Sequence, residues 1–284
     1  MIDAQSISNI ILPLCQREEL ALTILSRHEH AWNFQTSAGE IIALVTSYHG
    51  NGPFHIVLRT ALPPLAQIAQ NTVAQVQQGA LCVGSLYVNL KAAATWSATL
   101  PALAQPPTTV GTLLRTVQRQ FAPSPLFTGT AAIVQRAQQG MATLQRGLTA
   151  GDSDMVQTGV IHLAGLGPGL TPAGDDFLVG VLAALHAWPV QHVQPQIRQH
   201  SLAIAATATK RTTQLSGAWL RYAGEGYFGE AWHHLIMALN TDTADTIAAA
   251  AARILSTGAT SGADAMGGFL WGVAVLEKRM KDEG

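Results

Sequence analysis

The sequence predicts an α+β protein, with a β-rich N-terminal domain over residues 1–105 followed by a larger α-helical C-terminal domain over residues 106–284. Three observations predict it. Between Glu19 and Lys91 the chain runs in short segments rich in β-branched and aromatic residues, separated by Gly, Asn and Pro. Two proline clusters, PALAQPPTT from Pro101 and FAPSPLF ending at Phe127, then interrupt regular structure. Beyond them, long Ala- and Leu-rich stretches carry high helix propensity, Ala248–Ala252 being the extreme.

In chain order, the strand-forming segments are ELALTILSRHEHAWNFQ, EIIALVTSY, FHIVLRT and ALCVGSLYVNL. The run Tyr48-His-Gly-Asn-Gly-Pro53 is a turn between two of them. A helix over residues 65–78 is expected to interrupt the strands, and a short helix lies between the proline clusters, where the domain junction is placed. Eight helices follow, over residues 127–147, 152–164, 174–187, 195–209, 212–224, 228–239, 243–255 and 262–281.

Bulk composition narrows the function. At 284 residues the chain supports one large domain or two joined ones. Charged residues make up only 12%, against roughly 25% in an average soluble protein, so much of the surface is expected to be buried, part of it against other subunits. A formal net charge of −1 without a long basic run lacks the footprint of a nucleic-acid binder. Cys15 and Cys82 stand alone, offering neither a disulfide framework nor a zinc cluster. The first residues carry an early acid and no basic segment before their apolar stretch, which predicts no signal peptide and a cytoplasmic location. Apolar runs such as Phe177–Trp188 fall short of the roughly 20 residues of a membrane span and read as buried helices.

The most distinctive stretch is Gly165-Leu-Gly-Pro-Gly-Leu-Thr-Pro-Ala-Gly-Asp-Asp176. Alternating glycines at 165, 167 and 169 permit positive φ and let a ligand approach the backbone amides. Thr171-Pro172 reads as an N-cap with proline in the first turn, so the positive end of the following helix faces the loop. Such a loop suits a phosphate or carboxylate. It matches neither a Walker A loop nor a dinucleotide fingerprint.

Asp175 and Asp176 project about 100° apart around a helix, so they are expected to serve different partners. Beside an anion, a carboxylate must act as a base, accept hydrogen bonds or hold a cation. Mg²⁺ held by Asp176, Asp264 and ligand oxygens is the one cofactor the residues suggest, and none is required.

Two further segments belong with the loop. In the first, Thr260 or Ser261 caps the last helix and Asp264 lies in its first turn. Its Gly262-x-Asp264-x-x-x-Gly268 echoes Gly174-x-Asp176-x-x-x-Gly180, a long-range pseudo-repeat. The second is Lys210-Arg-Thr-Thr-Gln-Leu-Ser216: Lys210 and Arg211 neutralise an anion while Thr212, Thr213 and Ser216 donate hydrogen bonds. The bland alternative makes Thr212 an N-cap and leaves Arg211 in solvent. The pairs His28/His30 and His233/His234 lack a third metal ligand nearby in sequence.

With these motifs in view, the chain resembles a family recognised by GLGPGLTPAGDD ahead of an apolar helix and by a later TSGxD element, both intact here as Gly165–Asp176 and Thr260–Asp264. It is similar to the AllH-like (YlbF-type) proteins of bacterial allantoin-degradation operons, found beside FdrA-like and YlbE-like proteins. That resemblance implies a subunit of oxamate carbamoyltransferase, which converts oxalurate and phosphate into oxamate and carbamoyl phosphate. The site read from the residues comprises Asp175, Asp176 and Asp264 as catalytic groups. Gly165, Gly167, Gly169, Thr171, Gly174, Lys210, Arg211, Thr212, Thr213, Ser216, Thr260 and Ser261 would bind phosphate, carbamoyl phosphate, oxalurate or oxamate. Two rival readings stand beside it, a Mg²⁺-dependent enzyme acting on a phosphorylated or carboxylated metabolite and a non-catalytic organiser of the complex.

Overall fold

The computed structural model describes residues 2–63, 72–104, 125–189, 195–241 and 243–283. The chain divides into two compact units, Met1–Ala98 and Thr99–Gly284. The first is built of strands and the second of helices, so the α+β class holds.

The N-terminal unit carries β1 (Ile2–Ser8), a one-turn helix α1 (Leu12–Cys15), β2 (Glu19–Arg27), β3 (Ala31–Gln35), β4 (Ile41–Thr46), β5 (His55–Leu58), β6 (Ala74–Gln77), β7 (Ala80–Val83), β8 (Leu86–Asn89) and β9 (Ala94–Trp96). The strands form one sheet in the order β5-β4-β3-β2-β6-β7-β8-β1-β9, and an additional β1–β5 pairing closes it on itself. Closure gives β5 a neighbour on each side, while the three-residue β9 pairs with β1 alone among the described strands. The run of β4, apolar up to Thr46, is buried along its whole length, as expected of a strand walled on both faces. Gln78 and Gly79 both hold positive φ, the geometry of a tight hairpin turn between β6 and β7.

Two expectations change here. The predicted helix over residues 65–78 is, in its described part, strand β6, whose four residues pair with both β2 and β7. The sheet supplies those backbone groups with partners on both sides, which overrides the helix-compatible spacing of TVAQVQQ. Strands β1 and β9 carry no signal that sequence reading caught. The helix expected between the proline clusters lies outside the described residues.

The C-terminal unit contains α2 (Pro125–Thr128), α3 (Ala131–Ala150), α4 (Ser153–Leu163), α5 (Ala173–Ala187), α6 (Pro195–Thr209), α7 (Gln214–Gly224), α8 (Glu230–Thr241), α9 (Ala244–Leu255) and α10 (Ser261–Glu283). The predicted helix 127–147 is divided between α2 and α3, because Thr130 is extended as the N-cap of α3. Gly151 ends α3 in the left-handed conformation, and Asp152 then caps α4 by accepting from Asp154 N and Met155 N.

Helix α5 is the axis of this unit. Thirteen of its fifteen residues are buried, including Phe177, Leu178, Val181 and Leu182, so it is apolar all round and packed on every side. Its main neighbour is α10, and the contact relies on missing side chains. A Cβ at Gly180 would overlap the carbonyl oxygen of Ala265, and one at Gly268 would overlap that of Phe177. At Gly272 a Cβ would come 2.8 Å from Ala184 Cβ. Matching positions 177 to 184 with 268 to 272 in ascending order makes the two helices parallel, with their N-termini side by side.

The G-x-D-x-x-x-G echo thus has a structural counterpart that extends upstream. Gly174 sits where a Cβ would overlap Leu163 O at the end of α4, and Gly262 where one would overlap Ile254 O at the end of α9. Leu166 N bonds Leu163 O at 3.0 Å, as Thr257 N bonds Ile254 O at 3.0 Å. Gly174 N then returns to Leu166 O at 2.8 Å, as Gly262 N returns to Thr257 O at 3.0 Å. Asp176 N donates to Pro172 O and Asp264 N to Thr260 O, so the carboxylates open equivalent helices at equivalent positions. The pairs α4–α5 and α9–α10 are two copies of one helix-loop-helix arrangement.

Candidate functional site: a glycine loop over two parallel helix starts

The loop between α4 and α5 is held from three directions. Gly165 seats against the turn after α6, where a Cβ would overlap Arg211 O. Its amide donates to Asp175 Oδ1 at 2.8 Å. Thr213 Oγ1 donates to Leu170 O at 2.6 Å, and the same oxygen accepts from Ser216 N at 3.1 Å, so one hydroxyl tethers the loop tip and caps α7. The cap is therefore Thr213, not Thr212.

Gly167 and Gly169 take φ of +114° and +101°, conformations that side-chain-bearing residues rarely adopt. At Gly167 a Cβ would stand 3.0 Å from Ala173 N, so the loop packs closely on the buried first residue of α5. At Gly169 the space is open, with nothing within 4 Å. The amides of Gly165, Leu166 and Gly174 are bonded within the fold. Those of Gly167, Gly169, Leu170, Thr171 and Ala173 bond to no described residue. Gly165 and Gly174 shape the loop, and the amides that bond to no described residue lie between them.

Asp175 and Asp176 part as their helical spacing requires. Asp175 is fully buried and turns toward α7: Thr212 Oγ1 donates to its Oδ2 in a short bond, Ser216 Oγ donates to the same oxygen at 2.9 Å, and Gly165 N holds the other. Burial raises its pKa, opposed by the bonds from Thr212, Gly165 and Ser216. Every oxygen of this carboxylate is engaged in bracing the loop against α7.

Asp176 turns the other way, toward α10. Burial pushes its carboxyl up to about 7; hydrogen bonds from Ser261 and Thr171 act against that rise, and the negative charges of Asp264 and Asp175 add to it. Its Oδ2 is closed off from solvent and has no hydrogen-bond partner among the described residues. Asp264 is fully buried in the first turn of α10.

Thr171 does not cap α5. Pro172 occupies the N-cap position without a side-chain bond, and the Thr171 hydroxyl pairs with Ser261 Oγ at 3.0 Å, joining the two repeat copies. With the N-cap at Pro172, Thr171 lies one residue outside the helix, and its hydroxyl is available for this cross-link. Thr260 immediately precedes α10, and Lys210 and Arg211 are exposed on the turn that abuts Gly165.

Elsewhere, His30 stacks on Tyr48 at 4.6 Å between centroids and meets His49 edge-on at 6.4 Å, a neighbour that sequence spacing could not reveal. His234 pairs with Glu230 and with Arg253. No group of three or more His, Cys, Asp or Glu side chains placed to hold a metal occurs among the described residues. None of the described helices is long and apolar enough to cross a membrane.

Fold and site together define an α+β protein whose duplicated helix-loop-helix unit sets paired aspartates beside a glycine-rich loop. A family model for oxamate carbamoyltransferase subunit AllH matches residues 163–273, and one for the AllH family N-terminal domain matches residues 3–95. The chain belongs to the AllH family. No solved structure matches it.

Proposed function

We propose that this chain supplies the anion-binding and proton-donating part of an oxamate carbamoyltransferase, acting with FdrA-like and YlbE-like subunits on oxalurate and phosphate. The observation that carries the reading is the uneven state of the loop. Its flanking amides are satisfied internally, while those of Gly167, Gly169, Leu170, Thr171 and Ala173, at a helix start, bond to no described residue. Unsatisfied amides at the positive end of a helix bind phosphate and carboxylate oxygens. Lys210 and Arg211, on the abutting turn, supply balancing charge.

Asp176 fits the proton transfer that the reaction needs. A phosphate oxygen forms a bond to the ureido carbon of oxalurate, the bond from that carbon to the oxamate nitrogen breaks, and the nitrogen takes a proton. Asp176, with its carboxyl near 7, gives that proton and recovers one from the attacking hydrogenphosphate, so no proton is gained or lost overall. Loop amides stabilise the charge that develops on the carbonyl oxygen. Asp175, Thr212, Thr213 and Ser216 hold the loop in place. Asp264, Thr260 and Ser261 shape the neighbouring helix start.

The test is phosphate-dependent carbamoyl transfer by the assembled complex. Asp176→Asn is expected to lower kcat at least a hundredfold while the complex still assembles, and inorganic phosphate is expected to shift the amide resonances of residues 167–173 in the isolated chain. Undiminished turnover by Asp176→Asn would remove the proton-donor role. A titration with Mg²⁺ separates the metal reading, which requires saturable heat that Asp176→Asn abolishes.

A further inference from the structure

The two copies of the helix-loop-helix differ in length. In each, the amide that follows the first helix bonds the carbonyl three residues back, Leu166 to Leu163 and Thr257 to Ile254. In each, the aspartate amide bonds the carbonyl four residues back, Asp176 to Pro172 and Asp264 to Thr260. The bond between these anchors is unequal: Gly174 reaches back eight residues to Leu166, whereas Gly262 reaches back only five to Thr257. Residues 167–171 therefore fill in the first copy the span that Gly258 and Ala259 fill in the second. Gly167 and Gly258, directly after the first anchor, both take positive φ, +114° and +61°. At the far end, Thr171 is tied to Ser261 at 3.0 Å and belongs to the frame. Matching the two ends leaves Pro168, Gly169 and Leu170 without a counterpart.

We infer that Pro168–Leu170 is an insertion that serves ligand binding and not the fold: it offers the amides of Gly169 and Leu170 to a phosphate or carboxylate oxyanion, and the helix-loop-helix closes without it. This rests on the reading of the loop as an anion site, and separates the part that grips from the part that only supports. All three inserted residues are exposed, whereas Leu166 before them and Pro172 and Ala173 after them are buried. Leu170 is 51% exposed, and a Cβ at Gly169 would meet nothing within 4 Å. Ordering a chain segment costs conformational entropy, and this segment recovers little of it by burial. Both copies present a helix start, so a helix start does not distinguish them; the inserted amides do. Those of Gly169 and Leu170 bond to no described residue. The insertion is also held from outside the duplication. Thr213 Oγ1 donates to Leu170 O at 2.6 Å, which engages the carbonyl and leaves the amide. The turn that abuts Gly165 through Arg211 O brings the exposed Lys210 and Arg211 beside this copy.

The experiment deletes Pro168–Leu170 from the full-length chain, so that Gly167 joins Thr171 as Gly258 joins Ala259. Melting and NMR titration with inorganic phosphate compare it with the wild type. The deletion is expected to melt close to the wild type and to lose phosphate affinity about tenfold or more at the amides of Gly167, Thr171 and Ala173. Leu170→Pro removes one inserted amide at unchanged length and keeps the carbonyl that Thr213 holds. It is expected to weaken phosphate binding without loss of stability. If both variants unfold or melt far below the wild type, the segment is part of the scaffold and the inference is overturned. A folded deletion that binds phosphate as the wild type does also overturns it. If that deletion in addition fails to assemble with its partner subunits, the segment is a docking element. The wild type judges the underlying reading separately. Residues 167–173 that ignore phosphate there remove the anion site, and the binding role of the insertion with it, whereas a wild type that responds beside a deletion that responds equally removes the inference alone.

Discussion

Gly180 and Gly268 make one reciprocal contact: each faces the carbonyl three residues before its partner, Gly180 against Ala265 and Gly268 against Phe177. Because both halves use carbonyls of helical backbone, neither can yield without moving a helix. Adding a methyl group at either position forces α5 and α10 apart, an overpacking penalty of typically 1–3 kcal/mol and at the upper end here. Gly180→Ala and Gly268→Ala are each expected to destabilise the chain by about 3 kcal/mol. The double variant should lose less than their sum, since one displacement relieves both clashes. Urea unfolding followed by tryptophan fluorescence reads this, and independent, additive losses would refute the shared contact.

The loop makes a different demand. Thr213 places one oxygen between Leu170 O and Ser216 N, so a single hydroxyl fixes both the loop tip and the start of α7. Thr213→Ala is expected to lower stability by about 1 kcal/mol, the usual loss for a helix cap. It should also accelerate amide hydrogen exchange at residues 167–171. Thr213→Ser keeps the oxygen and should restore both. Unchanged exchange in the alanine variant would show that the loop is held by other contacts.

Much of this was legible in the sequence, and the limits have physical reasons. The helix 174–187 is observed as Ala173–Ala187 because an uninterrupted apolar run after proline leaves little choice of boundary. The divergence of Asp175 and Asp176 followed from helical geometry alone. What could not be read was the identity of each partner. Thr212 and Ser216 reach Asp175 from 37 and 41 residues away, and Thr171 meets Ser261 across 90. Local capping rules assigned Thr171 to its own helix, and tertiary pairing took it elsewhere. Strand β6 departs from its local pattern for a similar reason, since only its pairing with β2 and β7 distinguishes it from a helix. The G-x-D-x-x-x-G echo shows the converse case: small residues at fixed spacing mark close helix contact, and the contact is there.

His55 provides a pH test confined to the N-terminal unit. It is buried in β5, its Nδ1 lies 3.0 Å from Gly50 O, and burial pushes its pKa down from 6.5 to about 4, with that bond opposing the fall and His49 adding to it. The unfolded chain therefore takes up the proton first as pH falls. The contribution of the neutral imidazole is complete above about 6.5 and is lost progressively toward 4. At most roughly 3 kcal/mol is involved, from about 1.4 kcal/mol per pKa unit. Unfolding followed by hydrogen exchange of β4 and β5 should show the N-terminal unit less stable at pH 4.5 than at pH 7 in the wild type, and that difference should shrink in His55→Gln, whatever the change does to absolute stability. A persisting difference would assign the acid sensitivity to other groups.

The two adjacent aspartates should respond to substitution in opposite ways. Asp175 accepts from Gly165 N, Thr212 and Ser216, so Asp175→Ala leaves three donors without their acceptor, the buried Ser216 hydroxyl among them. A loss of about 3 kcal/mol or more is expected from unsatisfied groups of this kind. Asp176 has a folded-state pKa raised from 3.8 to about 7, so the folded chain holds a proton that the unfolded chain has given up across this range. Its contribution is neutral below about 3.8 and becomes increasingly unfavourable as pH rises toward 7, by on the order of 4 kcal/mol at most. Asp176→Asn removes the titration. The variant is thus expected to gain stability over the wild type as pH is raised from 4 to 8, while its complex loses carbamoyl transfer. Melting temperatures of both chains across that interval check the sign: a gap that narrows with rising pH would mean that Asp176 is ionised in the folded chain and stabilised by a cation.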